Sequence, residues 1–478
     1  MTDLVLRPGW PRPGVPAPQQ RTFWMRQAFA DEPEDGRAPR LEGAASCDVC
    51  VVGGGYTGLW TALEILRRAP GTDVMLIDAD VCGGGASGAN AGYLMPLWGR
   101  FAALVAISDH AEARRIGEES ALAVQEIGSF LHDNGIDADY RPASWLWAAS
   151  SRAQDGAWHQ TMRDLDRAEV APMRPLSAEE TRRLTGTRHH FGGVLDPGCA
   201  TLNPAKLVRG MRRVALDLGV RVHERTPLTA LRAGRRTQVR TPRGLISADR
   251  VVLAVNAWAG QVEDIGRRMV TVATDTLVTR PAPDALEAIG WDGDIAVTDS
   301  RRRLNFYRTT PDGRLLFGKG GIAAAYGRNA SGMWGAPLRL GEVKRQMARL
   351  FPSLAGLPVE HAWTAPVEYS VTSLPFAGRL RSVPGVYYGA GYSGDGIAAS
   401  RLMGKVLAAL ALGDRDEWSD SAFTRPPSGW IPPDPFRYLG ANVVLSALRA
   451  REAYEDRGRR VPVPVRLLAS IDPSAFGH

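Results

Sequence analysis

The stretch Val49-Cys50-Val51-Val52-Gly53-Gly54-Gly55-Tyr56-Thr57-Gly58 decides the fold. An apolar strand runs straight into glycines at 53, 55 and 58, the spacing of a socket for a diphosphate. Gly53 permits the tight turn, Gly55 lets the backbone approach a pyrophosphate, and Gly58 lets helix and strand pack closely. A helix opening near Thr57 turns its free N–H groups and positive dipole end toward the phosphates. Within Leu59 to Arg68, Leu59, Leu63 and Leu66 recur at helical spacing. A second strand, Asp73-Val74-Met75-Leu76-Ile77-Asp78, ends in an acid 25 residues beyond Gly53, where a ribose hydroxyl needs an acceptor. The unit predicts a bound dinucleotide.

NAD and FAD share this fingerprint, so the choice between them rests on segments further along the chain. Cys82-Gly83-Gly84-Gly85-Ala86-Ser87-Gly88-Ala89-Asn90-Ala91-Gly92 is a loop of small residues that can lie along an extended ligand and offer it backbone N–H groups. Far downstream, Val386-Tyr387-Tyr388-Gly389-Ala390-Gly391-Tyr392-Ser393-Gly394-Asp395-Gly396 again reads as strand, glycine turn and helix start. A third strand, Val251-Val252-Leu253-Ala254-Val255-Asn256-Ala257-Trp258, completes the set. Small-residue turns spread from Gly53 to Gly396 suit FAD better than a nicotinamide nucleotide.

These pieces, together with Leu202-Asn203-Pro204-Ala205-Lys206-Leu207, resemble the D-amino acid oxidase superfamily of FAD enzymes, and within it the putrescine-type amine oxidoreductases. The resemblance spans residue 46 to about residue 412. It implies a mixed α/β fold: an FAD-binding Rossmann-like domain of the glutathione-reductase type, interleaved with an antiparallel-sheet substrate domain. The cofactor residues it implies are Gly53, Gly55, Tyr56, Thr57, Gly58 and Asp78 from the first unit. Ala86, Ser87, Asn90, Ala91, Gly92 and Leu94 follow from the small-residue loop. Leu228, Ala254, Asn256, Trp258, Gly391, Gly394, Asp395, Gly396 and Ile397 complete them. It further implies hydride transfer from a C–H beside nitrogen to the flavin, then imine hydrolysis. That reaction asks for positioning and local charge rather than a catalytic triad. The linkage should be non-covalent. Relatives with a flavin on cysteine use one in the C-terminal part, and none follows Cys199; relatives linked through histidine carry it near the small-residue loop, and residues 83–95 hold none.

For the substrate, the informative block is Trp363 to Gly378. Amino-acid-oxidising members of the family place an arginine here to grip the substrate carboxylate. The corresponding residue is Val367, which cannot form such a pair. Ser370, Thr372 and Ser373 fit the hydroxyl-rich run of putrescine-type members better. The expected substrate is therefore a small amine. Glu368 has two readings: an anchor for a cationic amine, or an ordinary strand carboxylate paired with an arginine. Tyr307 and Arg308 are either substrate contacts or a packed tyrosine beside a surface arginine. Lys319, in Phe317-Gly318-Lys319-Gly320-Gly321, is either the lysine that promotes oxygen reactivity in sarcosine-oxidase-like members or a solvent-facing turn lysine. Asp395 stands where relatives often carry histidine; it reads as a helix cap or as a neighbour of the flavin.

Bulk properties bound the rest. The 478 residues are too many for one simple core and suggest two interleaved domains plus a tail. The division expected is an extended N-terminal arm over 1–44, an FAD-binding domain over 45–110, 190–261 and 366–413, a substrate domain over 111–189 and 262–365, and a tail from 414 with a helix over Phe436–Asp456. Net charge is +7, carried by scattered arginines often near acids, which argues against a nucleic-acid partner. Four cysteines suit a reducing compartment. Cys47 and Cys50 have redox spacing, but neighbours three apart on a strand face opposite ways, so buried thiols are expected. No signal peptide or run of about 18–20 apolar residues is evident, making the cytoplasm the expected location and no membrane the expected partner. Arg21-Thr22-Phe23-Trp24 is expected to tuck an aromatic into the body. The electron acceptor, oxygen or another, and the oligomeric state stay open. Competing functions are an amino acid or N-methyl amino acid oxidase, a tRNA-modifying flavoprotein and a non-catalytic flavoprotein.

Overall fold

A computed structural model describes residues 3–5, 21–32, 38–291, 293–327 and 329–471. The described strands form two sheets of nine. In the first, five strands run parallel in the order Arg221–His223, Val74–Ile77, Gly43–Val52, Gly244–Leu253, Val386–Ala390. Their residues are apolar almost without a break because both faces are covered, as parallel strands require. Tyr56–Arg68 and Gly396–Leu412 pack together over one face, burying Leu59, Ile65, Leu402 and Val406 completely. Each such leucine contributes about 2 kcal/mol. Ile246, Val251, Leu231 and Val239 fill the opposite face. The parallel order is what brings the C-terminal ends of Gly43–Val52, Val74–Ile77 and Gly244–Leu253 to one edge, where a ligand can sit.

The second sheet begins with the long antiparallel pair Met269–Thr279 and Val359–Ser370, then continues through Leu315–Lys319, Asn305–Thr309 and Ile295–Asp299. Arg141–Ala148 joins next and Gly193–Thr201 after it. The sheet departs from the purely antiparallel expectation at one place: Ile295–Asp299 and Arg141–Ala148 run parallel. Gly193–Thr201 and Tyr93–Leu94, expected with the nucleotide-binding strands, also pair in this second sheet.

Local signals hold up well. Ser177 and Glu180 form the reciprocal capping box, and Asn203 caps a helix whose first residue is Pro204. The tail helix spans Phe436–Asp456 as expected. Three expectations need correction. The N-terminal arm is not extended throughout: Phe23–Ala30 is a helix capped by Thr22, with Phe23, Trp24 and Met25 buried. Strands also form within the arm: Asp3–Val5 pairs with Ala230–Arg232, and Gly43–Val52 starts inside it. Cys47 and Cys50 are buried and unbridged, yet pack in the same cluster rather than on opposite faces. The amides of Asp48 and Val49 both donate to the Asp73 carbonyl, at 3.0 and 3.2 Å. That bulge-like step interrupts the alternation between the two cysteines.

Among the described residues, no helix is long and apolar enough to cross a membrane.

Candidate functional site

A cavity of about 780 Å³ is lined from both sheets, within the range of cofactor sites. Its floor is the glycine turn. Gly53 has φ of 111°, a conformation that disfavours any side chain, and a Cβ there would stand 2.2 Å from the Ala254 carbonyl oxygen. A Cβ on Gly58 would stand 1.9 Å from the Gly53 carbonyl, so the helix can press against the turn only without one. Gly55 is the N-cap of Tyr56–Arg68 and offers no side-chain cap. The first helical turn therefore faces the cavity with its dipole undamped, the arrangement that receives phosphate.

Asp78 sits at the end of its strand as expected. One carboxylate oxygen accepts the Gly54 N–H at 2.7 Å and the other the Asp80 N–H at 2.8 Å. Burial pushes its pKa up to about 7, against the lowering effect of those two amides. A ribose hydroxyl donating to it would favour the ionised form. The small-residue loop is braced from outside. Trp24 Nε1 donates to the Asn90 carbonyl at 3.0 Å, and Trp363 Nε1 to that of Ala89 at 2.9 Å. Thr22 Oγ1 donates to Gly88 at 2.6 Å, and Arg21 pairs with Asp80 at 2.7 Å. The arm helix thus braces the small-residue loop that lines the cavity, a contact that its sequence signalled only through the aromatic pair at 23 and 24.

Most of the expected cofactor residues line the cavity: Gly53, Gly55, Tyr56, Thr57 and Asp78; Ala86, Ser87, Asn90 and Ala91; Leu228, Ala254, Asn256 and Trp258; Gly394, Asp395, Gly396 and Ile397. Gly58, Gly92, Leu94 and Gly391 do not; they act behind the wall. A Cβ on Gly92 would meet the Leu202 carbonyl at 2.1 Å, and one on Gly391 the Phe376 ring at 2.7 Å. Leu94 is fully buried in the core.

The four catalytic candidates separate sharply. Glu368 lines the cavity, with Val367 beside it. Its Oε1 accepts from Asn256 Nδ2 at 2.9 Å and from the Tyr392 N–H at 3.3 Å. Burial raises its pKa to about 7, the surrounding amide donors opposing. Among the described residues, no arginine pairs with it. The other three lie off the cavity. Tyr307 is buried in the apolar cluster behind the sheet, bonded through its hydroxyl to His190 Nε2 and stacked on Phe317 at 5.3 Å between centroids. Arg308 is buried rather than on the surface, with Nε on the Ala91 carbonyl at 2.6 Å and Nη2 on that of Leu202 at 2.7 Å. It supports the cofactor loop from behind. Lys319 is neither a turn lysine nor a cavity residue. It ends the strand Leu315–Lys319, wholly buried, with Nζ 2.7 Å from the Arg303 carbonyl and 3.2 Å from Glu452 of the tail helix. Burial lowers its pKa.

Two further expectations change. Asp395 occupies the N-cap position but makes no side-chain cap bond; it forms an ion pair with Arg100 at 2.6 Å, whose Nη2 also reaches the Ser393 carbonyl. Ser370, Thr372 and Ser373 do not line the cavity. Ser370 Oγ closes the turn instead, donating to the Leu374 carbonyl at 2.7 Å and accepting the Leu374 N–H at 3.0 Å. Conversely, Tyr93, Arg100, Phe306, Trp334, Tyr369 and Tyr392 line the cavity without having been singled out. Tyr392 lay inside the third glycine turn, its hydroxyl 2.5 Å from Thr57 Oγ1. Trp334 lies in a segment whose sequence has no periodic signal.

The residues present fit FAD: a cradle that a Cβ would fill, a buried acid at the ribose position, and a cavity long enough to be walled by both sheets. Comparison with known proteins agrees. The family model described as FAD dependent oxidoreductase matches residues 48–410. The chain is 29% identical over 408 residues to γ-glutamylputrescine oxidoreductase of Escherichia coli, covering 84% of this chain and 92% of that one. It is 30% identical over 401 residues to the probable oxidoreductase OrdL of Rhizobium meliloti, covering 80% and 87%. Among solved structures, glycine oxidase from Geobacillus kaustophilus superposes with a TM-score of 0.62 at 20% identity, covering 80% of this chain and 100% of that one. The chain belongs to the DAO family of FAD-dependent oxidoreductases, as an amine or amino acid oxidoreductase.

Proposed function

We propose that this protein oxidises the C–N bond of a small amine, through an imine that water then splits to a carbonyl compound and ammonia or a smaller amine. FAD, held non-covalently by the glycine turn, Asp78 and the loop Ala86–Ala91, supplies the two-electron acceptor when bound. The protein's own contribution is placement and charge. Glu368 carries the proposal: a buried carboxylate on the cavity wall, with no cation against it among the described residues, attracts a substrate ammonium. Val367 beside it is apolar and offers no grip for an α-carboxylate. The similarity to an enzyme named for γ-glutamylputrescine supports an amine over an α-amino acid. Electrons leave to oxygen or another acceptor.

The test is an anaerobic screen of primary and secondary amines against simple α-amino acids, following loss of the flavin visible band. Amines should bleach it fastest. Preferential bleaching by simple α-amino acids would refute the proposal.

A further inference from the structure

The tail helix Phe436–Asp456 is turned the wrong way round for a helix lying on a soluble protein. Its acids point inward: Glu452 meets Lys319 and Arg303, both at 3.2 Å, and Asp456 pairs with Arg301. Apolar residues point outward instead. Phe436 is 69% exposed, Leu439 59% and Val443 49%. Spaced three and four apart, they form one stripe on the face away from Leu445 and Leu448, which are buried in a cluster with Ala324.

The stripe is widened on both sides. The short helix Val463–Ala469 packs on the tail helix, with Ala469 in the same buried cluster. It leaves Val463, Leu467 and, just beyond its end, Ile471 more than half exposed. Tyr326 stands edge-on to Tyr438 at 5.2 Å, and Trp430 is exposed just ahead of the tail helix. Single exposed apolar residues need no explanation, but a patch of this kind marks a surface that meets something apolar.

Charge identifies the occupant. The segment from Trp430 to Ile471 holds four acids, Asp434, Glu452, Glu455 and Asp456, and each is committed to an ion pair with the protein's own cations. Arg457, Arg459, Arg460 and Arg466 are exposed, and among the described residues no carboxylate pairs with them. The face thus offers apolar side chains and positive charge, with its acids already spent. A second copy docked about a two-fold axis would set this cationic face against itself. An anionic lipid surface matches both features.

We propose that the tail helix and Val463–Ala469 form a docking face for an anionic membrane surface. Phe436, Leu439 and Leu467 enter the boundary between headgroups and acyl chains, Trp430 lies at headgroup level, and the four arginines meet lipid phosphates. A contact of this kind needs no spanning helix, and it replaces the expectation of no membrane partner.

The experiment is flotation of the purified holoenzyme with vesicles of phosphatidylcholine alone and with vesicles that also contain about 30% phosphatidylglycerol. The phosphatidylglycerol vesicles should bind the protein about tenfold more tightly, and raising salt from about 0.1 M to about 0.5 M should release most of it. Arg459→Glu with Arg460→Glu should remove the preference for phosphatidylglycerol. Leu439→Ser with Val443→Ser should weaken binding to it about tenfold. Both double variants should keep full flavin content and unfold at the parental temperature, since all four side chains are exposed. No binding to phosphatidylglycerol vesicles, equal binding to both compositions, or binding that survives both double substitutions overturns the docking face. So does a dimer of the parent protein, without vesicle binding, that Leu439→Ser with Val443→Ser dissociates; the face would then belong to a second copy.

Discussion

The two ends of the main cavity are made of different material. At the diphosphate end the ligand surface is backbone: a positive-φ glycine, open helix N–H groups and a loop of small residues. At the Glu368 end it is side chains from elements far apart in the chain, with Glu368 held by Asn256, and Arg100 reaching Asp395. A backbone surface needs particular residues at fixed local spacing, so it tolerates little substitution and serves one ligand. A side-chain surface can be rewritten residue by residue without disturbing the sheet beneath it. The cofactor is therefore constrained and the substrate adjustable.

The sharpest way to break this contrast is at Gly53. Gly53→Val demands a β-branched residue at φ of 111° with its Cβ 2.2 Å from the Ala254 carbonyl. The purified variant should be colourless, with FAD affinity lowered more than about a thousandfold. A yellow, fully loaded variant would show that the backbone cradle does not hold the cofactor.

Glu368→Gln tests the other end, with an intermediate effect. It keeps the shape and the bonds to Asn256 and Tyr392 but removes the charge. FAD content should stay full while kcat/KM for a cationic amine falls about tenfold or more. Stability should move the opposite way, and the sign follows from the raised pKa. Between its ordinary 4.5 and about 7 the folded protein holds a proton that the unfolded chain has released. Stability thus falls as pH rises through that window, by at most about 3 kcal/mol, and the cost persists above it. Relative to the parent holoenzyme, the glutamine variant should gain Tm at about pH 8 and little at about pH 5. A gain independent of pH would mean that Glu368 is not the group titrating there.

The same contrast explains what could be read from the chain. The parallel strands, the glycine turns and the helix capped by Asn203 are local patterns, and they stand where the spacing places them. Arg100 finds Asp395 across 295 positions, and Asn256 finds Glu368. No periodicity encodes such meetings; they follow from how the two sheets close on each other. Misplacement of Tyr307 has the same origin. It sits on Asn305–Thr309, where alternation sends Phe306 to the cavity and Tyr307 to the apolar cluster behind, whereas Arg308 shares the face of Phe306 but is taken up by the carbonyls of Ala91 and Leu202. Choosing the correct face required knowing which side of the strand the cofactor lies on.

Lys319 gives the smallest expected effect on turnover, and it isolates the remaining question of whether the tail helix acts on the chemistry or only on packing. Its ammonium is occupied by the Arg303 carbonyl and Glu452, and it does not line the cavity. In Lys319→Met, reoxidation of the reduced flavin by oxygen should change by less than about twofold, because the lost ammonium lies off the cavity wall and is paired with Glu452. Folding stability should fall by about 1–3 kcal/mol, since Glu452 loses one of two buried cations and keeps Arg303. Adding Glu452→Gln should restore part of that loss, as expected for a coupled pair. If oxygen reactivity instead dropped more than about tenfold, the lysine would have to reach the cofactor in the working enzyme. The tail helix would then act on the reaction itself and not only on the packing behind the strand Leu315–Lys319.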